Sequence, residues 1–162
     1  MNHRALLHYT GLLLAGLLAG NSFAFVLGMG SAMEKLSAQS YIAFHESMQR
    51  SFLAWTPNLC VLLAGVLFVS LIEMHKDWKE PRFVLTFFAW LCVCEELFMT
   101  FTGNFPLNRV IYSWRFAGAP DNWADIRSQW LYFMYWRCSV LMTGFSDRKS
   151  TRLNSSHTDI SR

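Results

Sequence analysis

Charge is what this sequence is short of. Asp, Glu, Lys and Arg make up 15% of its 162 residues, against roughly 25% in ordinary soluble domains. Three runs, 5–33, 51–72 and 83–94, contain none of the four. A bilayer-crossing helix needs about 20 apolar residues at a rise of 1.5 Å each. The first two runs meet that length alone, and the third meets it when Glu95 and Glu96 are tolerated. With 53% hydrophobic residues, these runs exclude an ordinary soluble domain.

Other absences exclude chemistries. The four cysteines, Cys60, Cys92, Cys94 and Cys138, contain no CxxC pair. Cys92 and Cys94, two apart, point to different helix faces. A redox dithiol of the kind used by quinone or disulfide reductases is therefore not expected, and the four read as small buried apolar residues. No glycine-rich dinucleotide fingerprint, P-loop or metal-ligand cluster occurs. His45-Glu46-Ser47-Met48-Gln49 lacks the second histidine of a zinc-hydrolase helix. Neither cofactor nor metal is expected.

The end of the chain differs from the rest. Residues 147–157, DRKSTRLNSSH, resemble one translated frame of a common sequencing adapter without a gap. Ile160-Ser161 fits the adapter's next bases, and Arg162 departs from them. Such scars stand outside fold reasoning. The expected organisation is a single membrane domain over 1–146, cut within its fourth helix, followed by a non-native tail over 147–162. Without that tail ten basic and nine acidic residues remain, so the net charge drops from +3 to +1. No nucleic-acid partner follows from that balance.

Four spans are expected, at 5–30, 52–74, 83–103 and 125–145. In the first, Gly16, Gly20, Ala24 and Gly28 form a small-residue stripe that allows close helix approach in lipid. Its apolar character runs too far for a signal peptide. Between the first two spans, 37–52 reads as a short amphipathic helix with Tyr41, Phe44, His45, Met48 and Phe52 toward one side. Glu46 and Arg50 form an i,i+4 pair on it. Pro57 and Pro81 sit where helix starts tolerate them. The fold class expected is all-α, an integral membrane up-down four-helix bundle with a short amphipathic helix after the first span. Lys76, Lys79 and Arg82 cluster in a short loop, which orients the N-terminus toward the cytoplasm, in a bacterial inner membrane. Four spans also place 31–51 and 104–124 on the same side.

The long polar interruption at 103–130 is where the rim of a site is expected. Glu95 and Glu96 are costly at membrane depth unless paired, protonated or wet. Arg127 and Arg137 on the next helix are the expected partners. Arg50, Arg109 and Arg127 form a candidate cationic rim, and Trp55, Trp114, Trp123 and Trp130 a candidate aromatic belt. Snorkelling arginines and interfacial tryptophans give the same pattern. Rim and belt together suit a flat hydrophobic aromatic small molecule, the one partner expected besides the lipid bilayer.

Four stretches carry a resemblance: GNSFAFVLGMGSAMEKL at 20–36, YIAFHESMQRSF at 41–52, NFPLN at 104–108 and WADIRSQWLYFMYWR at 123–137. In this order, over 5–145, the chain resembles the small four-helix membrane family that includes the anthrone oxygenases. The resemblance implies oxidation of a polyketide anthrone to an anthraquinone by oxygen, without metal or flavin. That chemistry needs a base, for which His45 is the candidate. It also needs fixed charge at the developing oxyanion, for which Arg109 and Arg127 are the candidates. Asn104 and Asn108 are expected to orient substrate oxygens or to cap the turn at Pro106. Trp114, Trp123 and Trp130, with Glu95 and Glu96, complete the candidate binding set. The alternative is a non-catalytic membrane protein, lipophile-binding or an accessory subunit, whose glutamates hold helices together.

Overall fold

The computed structural model describes the backbone of residues 3–52 and 55–158 and the side chains of 3–51 and 55–146. The side chains of the adapter-like tail and its backbone at 159–162 lie outside the described residues. Among the described residues the chain is all helix. α1 (His3–Ala24) continues through a π-helical turn, Phe25–Met29, into α2 (Gly30–Glu34). After a short turn comes α3 (Ala38–Phe52), then α4 (Thr56–Glu73) and a single 3-10 turn at His75–Asp77. α5 (Pro81–Met99) runs through a second π-helical turn, Thr100–Asn104, into α6 (Phe105–Ala117). α7 (Trp123–Thr158) closes the chain.

Three rods are long and apolar enough to cross a membrane: His3–Glu34, Thr56–Glu73 and Pro81–Ala117. No more than 33% of the apolar window of each is buried within the bundle. The rest is an outward apolar surface, with Leu13, Leu17, Leu27, Val61, Phe68, Ile72, Val84 and Phe98 exposed. A surface of that extent is stable against lipid and not against water. The protein is therefore an integral membrane helical protein. The fourth rod, α7, is not among these three. It supplies Arg137, the cation that pairs with the buried Glu96, and packs against α1 and α5, while α4 closes the ring against the same two helices.

The expected third span ended at 103, with a loop over 104–124. The helix instead persists to Ala117, and the connection shrinks to 118–122, opened by Gly118 at a φ of 80°. Gly103-Asn104-Phe105-Pro106 reads as a breaker because proline lacks an N–H and its ring clashes with the carbonyl four residues back. The π-helical turn directly before Pro106 takes up that misfit, so the rod is re-formed and not ended.

Two cores form. Leu14, Leu18, Leu63, Leu67, Val93 and Leu141 fill one, and Phe25, Met33, Tyr41, Ile111, Trp114 and Trp130 the other. Gly103 lies where the second π turn meets α7. A Cβ there would stand 3.0 Å from the root of the Phe133 ring, which cannot swing aside as a chain end can. Gly103→Val is expected to destabilise the bundle by about 1–3 kcal/mol, the usual range for overpacking. Denaturant titration in detergent measures it, and an unchanged midpoint contradicts the close approach.

Candidate functional site

The site grows from Glu96. Its face of α5 is set by Ala89, Cys92, Val93, Glu96 and, one turn on, Thr100, all buried. At 1% exposure the carboxylate needs a partner in place. Arg137 of α7 supplies it: Nε donates to Glu96 Oε1 at 2.9 Å and Nη2 donates to the same oxygen. Thr100 donates its hydroxyl to the Glu96 carbonyl at 2.9 Å and stands 3.2 Å from Oε1. The Cys60 thiol of α4 faces the same carboxylate. Glu96 Oε2 has no hydrogen bond of ordinary geometry.

A chain of hydrogen bonds leads from this pair to Asn108 on α6. Arg137 Nη1 donates to Asn104 Oδ1 at 2.9 Å. Asn104 Nδ2 donates to the Trp130 carbonyl at 3.3 Å, and Trp130 Nε1 donates to Asn108 Oδ1 at 2.7 Å. Asn108 also lies close enough to the His45 ring to oppose part of the effect of its burial. Asn104 and Asn108 share one helix face because they are four apart. His45 falls one turn after Tyr41 on the inner face of α3 and is 1% exposed. Its ring meets Trp130 edge-on, centroids 5.0 Å apart, and Tyr41 at 5.6 Å. Burial pushes the imidazole down to about 4, only partly offset by Asn108, so the ring is neutral at pH 7. Nε2 is buried without a partner.

These groups border a cavity of about 100 Å³. Glu96, Asn104, Asn108 and Arg137 form its polar side, and Leu18, Phe25, Trp130, Met134 and Leu141 its apolar walls. α3 covers it with His45, Met48 and Gln49. It lies where the two cores meet, and both π-helical turns contribute lining, through Phe25 and Met29 and through Thr100 and Asn104. Single π turns inside α-helices recur at functional sites.

Of the residues singled out in the sequence, His45, Glu96, Asn104, Asn108 and Trp130 meet here. The others stand elsewhere. Arg109 is exposed on α6, about 100° around the helix from Asn108. Trp114 is buried in the core beside Ile111. Trp123 lies under the Arg127 guanidinium, 4.5 Å away. Arg127 donates to the carbonyls of Leu36 at 2.9 Å and Met33 at 3.4 Å, tying the end of the first rod to α7. A cation suits those terminal carbonyls. Glu95 accepts from Trp136 Nε1 at 2.5 Å, and Trp136 is 47% exposed on the outer surface. Arg137, expected only as an ion-pair partner, is the cation of the site. Its signal was present: a lone cation inside a weakly apolar helix must face inward and pair.

The segments 31–51 and 104–124, expected on the same side of the membrane, are in contact through α3 and α6. Arg115 of α6 donates to Glu46 Oε1 of α3 at 2.9 Å, and Arg50 pairs with the same oxygen. Arg50 first, then Arg115, lowers the Glu46 pKa. The tie is therefore present above the ordinary carboxylate value of 4.5 and is lost as pH falls through the lowered one. At neutral pH, Glu46→Gln is expected to speed amide hydrogen exchange across 38–52 and leave α5 unchanged. Equal exchange in α3 of both proteins contradicts a latch at Glu46.

Among the described residues no three His, Cys, Asp or Glu side chains converge as a metal-ligand group. The arrangement is a charge-neutral polar patch inside an apolar bundle, able to orient a small bound group. No family model, curated protein or solved structure matches the chain.

Proposed function

We propose that this chain is a non-catalytic integral membrane protein that binds a small lipophilic molecule in the cavity under α3. One observation carries this reading: the buried Glu96–Arg137 pair, its hydrogen-bonded chain to Asn108 and the neighbouring His45 border a cavity with apolar walls. Polar groups inside a membrane bundle are costly, and an apolar pocket on which a few polar groups converge is the usual form of a small-molecule site. α7 forms the fourth span, because Arg137 satisfies Glu96 from within it. The N-terminus faces the cytoplasm of a bacterial inner membrane, α3 lies as an amphipathic helix at the opposite interface, and 147–161 is adapter-derived. Fusions of alkaline phosphatase and of a fluorescent protein to the loop around Lys76 test the orientation.

Solvent extraction of protein purified in mild detergent, followed by mass spectrometry, tests the binding. A lipophile is expected from the wild type and not from Leu141→Trp, which fills the cavity. Equal recovery from both proteins contradicts the reading.

A second reading, a cofactor-independent anthrone oxygenase, draws support from His45, a residue of the cavity lining whose Nε2 has no partner in the protein. Oxygen would convert the anthrone methylene to a carbonyl with release of water. Size weighs against it. A dry cavity of about 150 Å³ takes benzene, and a tricyclic anthrone requires α3 to move aside. Oxidation of emodin anthrone by membranes containing the protein, above empty membranes and lost in His45→Ala, would favour this reading over the first.

A further inference from the structure

We infer that the Glu96–Arg137 pair sets the charge class of the ligand: the cavity takes an uncharged lipophile and excludes one that ends in a carboxylate or an ammonium group. The inference rests on the lipophile-binding reading and names the molecules that site selects.

Glu96 and Arg137 are the charged side chains of the lining among the described residues, and they meet as an ion pair. Each nitrogen of Arg137 already has an acceptor. Nε and Nη2 donate to Glu96 Oε1, and Nη1 donates to Asn104 Oδ1 and the Met134 sulfur. The two amides are also tied. Guanidinium and indole nitrogens only donate, which fixes Asn104 Oδ1 toward Arg137 and Asn108 Oδ1 toward Trp130 Nε1. Asn104 Nδ2 is held by the Trp130 carbonyl. The polar side of the cavity is therefore bonded within itself and keeps no counter-ion for a charged ligand.

Leu18, Phe25, Met134 and Leu141 make the rest of the surroundings apolar, so an entering ion gives up hydration at a cost far above that of a hydroxyl. A guanidinium offsets that cost for a carboxylate only where its own counter-charge is absent. Here Glu96 is bonded to it, and the attraction of Arg137 for a third charge is opposed by the repulsion of Glu96. An ammonium group meets the same opposition with the signs reversed. A hydroxyl or ester end carries a far smaller penalty. The filter depends on both partners. Removing the carboxylate presents a lone cation to the ligand, and removing the guanidinium presents a lone anion. A merely apolar lining, or a pair beyond the ligand's reach, would not respond in that way.

The test is isothermal titration of the purified full chain in non-ionic detergent at neutral pH with 1-hexanol, hexanoate and hexylammonium. Each ligand is compared across proteins, which cancels its partition into micelles. The wild type is expected to bind hexanol at least about tenfold more tightly than either ion, a conservative bound for an uncompensated buried charge. Glu96→Gln is expected to tighten hexanoate at least about tenfold and leave hexylammonium weak, and Arg137→Met to do the reverse. Glu95→Gln makes the same change of net charge one residue away, outside the lining, and is expected to keep the wild-type order. Where a single variant does not fold alone, its helical melt is run with each ligand present. Recovery with the ion that replaces the missing charge, and not with its opposite, is then the expected result. An ion that binds the wild type as tightly as hexanol, a matched ion that gains nothing in its variant, or a switch in Glu95→Gln overturns the inference and leaves lipophile binding in place. Saturable binding of none of the three to the wild type overturns both.

Discussion

Glu96→Leu alone is expected to destabilise the bundle by about 3–5 kcal/mol, because it leaves the Arg137 guanidinium buried without its counter-charge. Arg137 has little means of escape: its side chain is 13% exposed and its other contacts are Asn104 and Met134. Arg137→Met is expected to cost a similar amount through the stranded carboxylate. Glu96→Leu/Arg137→Met together should recover most of the loss, since replacing both partners of a buried pair by apolar groups is often neutral or stabilising. A double-mutant cycle from denaturant titrations in detergent measures this. Additive single effects would mean that the pair is not coupled, and the network would lose its anchor. The same cycle separates stability from function. The double variant is expected to fold and to have lost the charged pair from the polar side of its cavity, keeping Asn104 and Asn108.

The second large effect concerns pH. His45 is held neutral by burial, with its pKa near 4 in the folded protein against an ordinary value of 6.5. Between those values the unfolded chain binds more protons than the folded one, so stability rises with pH across the window and falls as pH drops from 6.5 toward 4. Above pH 6.5 the penalty is absent. Below about 4 it is complete, at roughly 3 kcal/mol by the standard conversion. Melting curves between pH 7.5 and 5 are expected to show a decline in the wild type that is much shallower in His45→Gln. Glu46 titrates below this range because Arg50 and Arg115 hold it down, so it does not mimic the effect. Parallel declines in the two proteins would mean that the imidazole is hydrated, and its burial under α3 would be wrong.

Long uncharged runs made the spanning helices legible, because lipid requires every backbone group to be satisfied within a helix. The inner face of α3 was legible for the same kind of reason, since Tyr41, His45 and Met48 recur at helical spacing. What misled was the stretch after Gly103. Read as a loop, it offered Arg109 as part of a rim. Read as a helix, its buried positions Asn104, Asn108, Ile111 and Trp114 follow a 3.6-residue repeat that leaves Arg109 outside. The π-helical turn that reconciles Pro106 with a continuous rod has no signature in local propensity. Glu96 and not Glu95 faces inward because Ala89, Val93 and Thr100 share its face, a pattern visible in the sequence. Arg127, read as a partner of the glutamates and part of a cationic rim, instead donates to the carbonyls of Met33 and Leu36. Nothing in residue type distinguishes a guanidinium that ties carbonyls from one that meets a ligand.

The central claim is that the cavity under α3 is a binding site. The most direct measurement is a titration of the detergent-solubilised full chain with an environment-sensitive lipophilic dye, run in parallel on Leu141→Trp. Leu141 lines the cavity and is 8% exposed, so tryptophan at that position occupies the space a ligand would take. The wild type is expected to saturate at one dye per chain, and Leu141→Trp, with its helical melt retained, to show only unsaturable partitioning into detergent. Saturation at the same stoichiometry and affinity in both proteins would place the dye elsewhere and contradict the account.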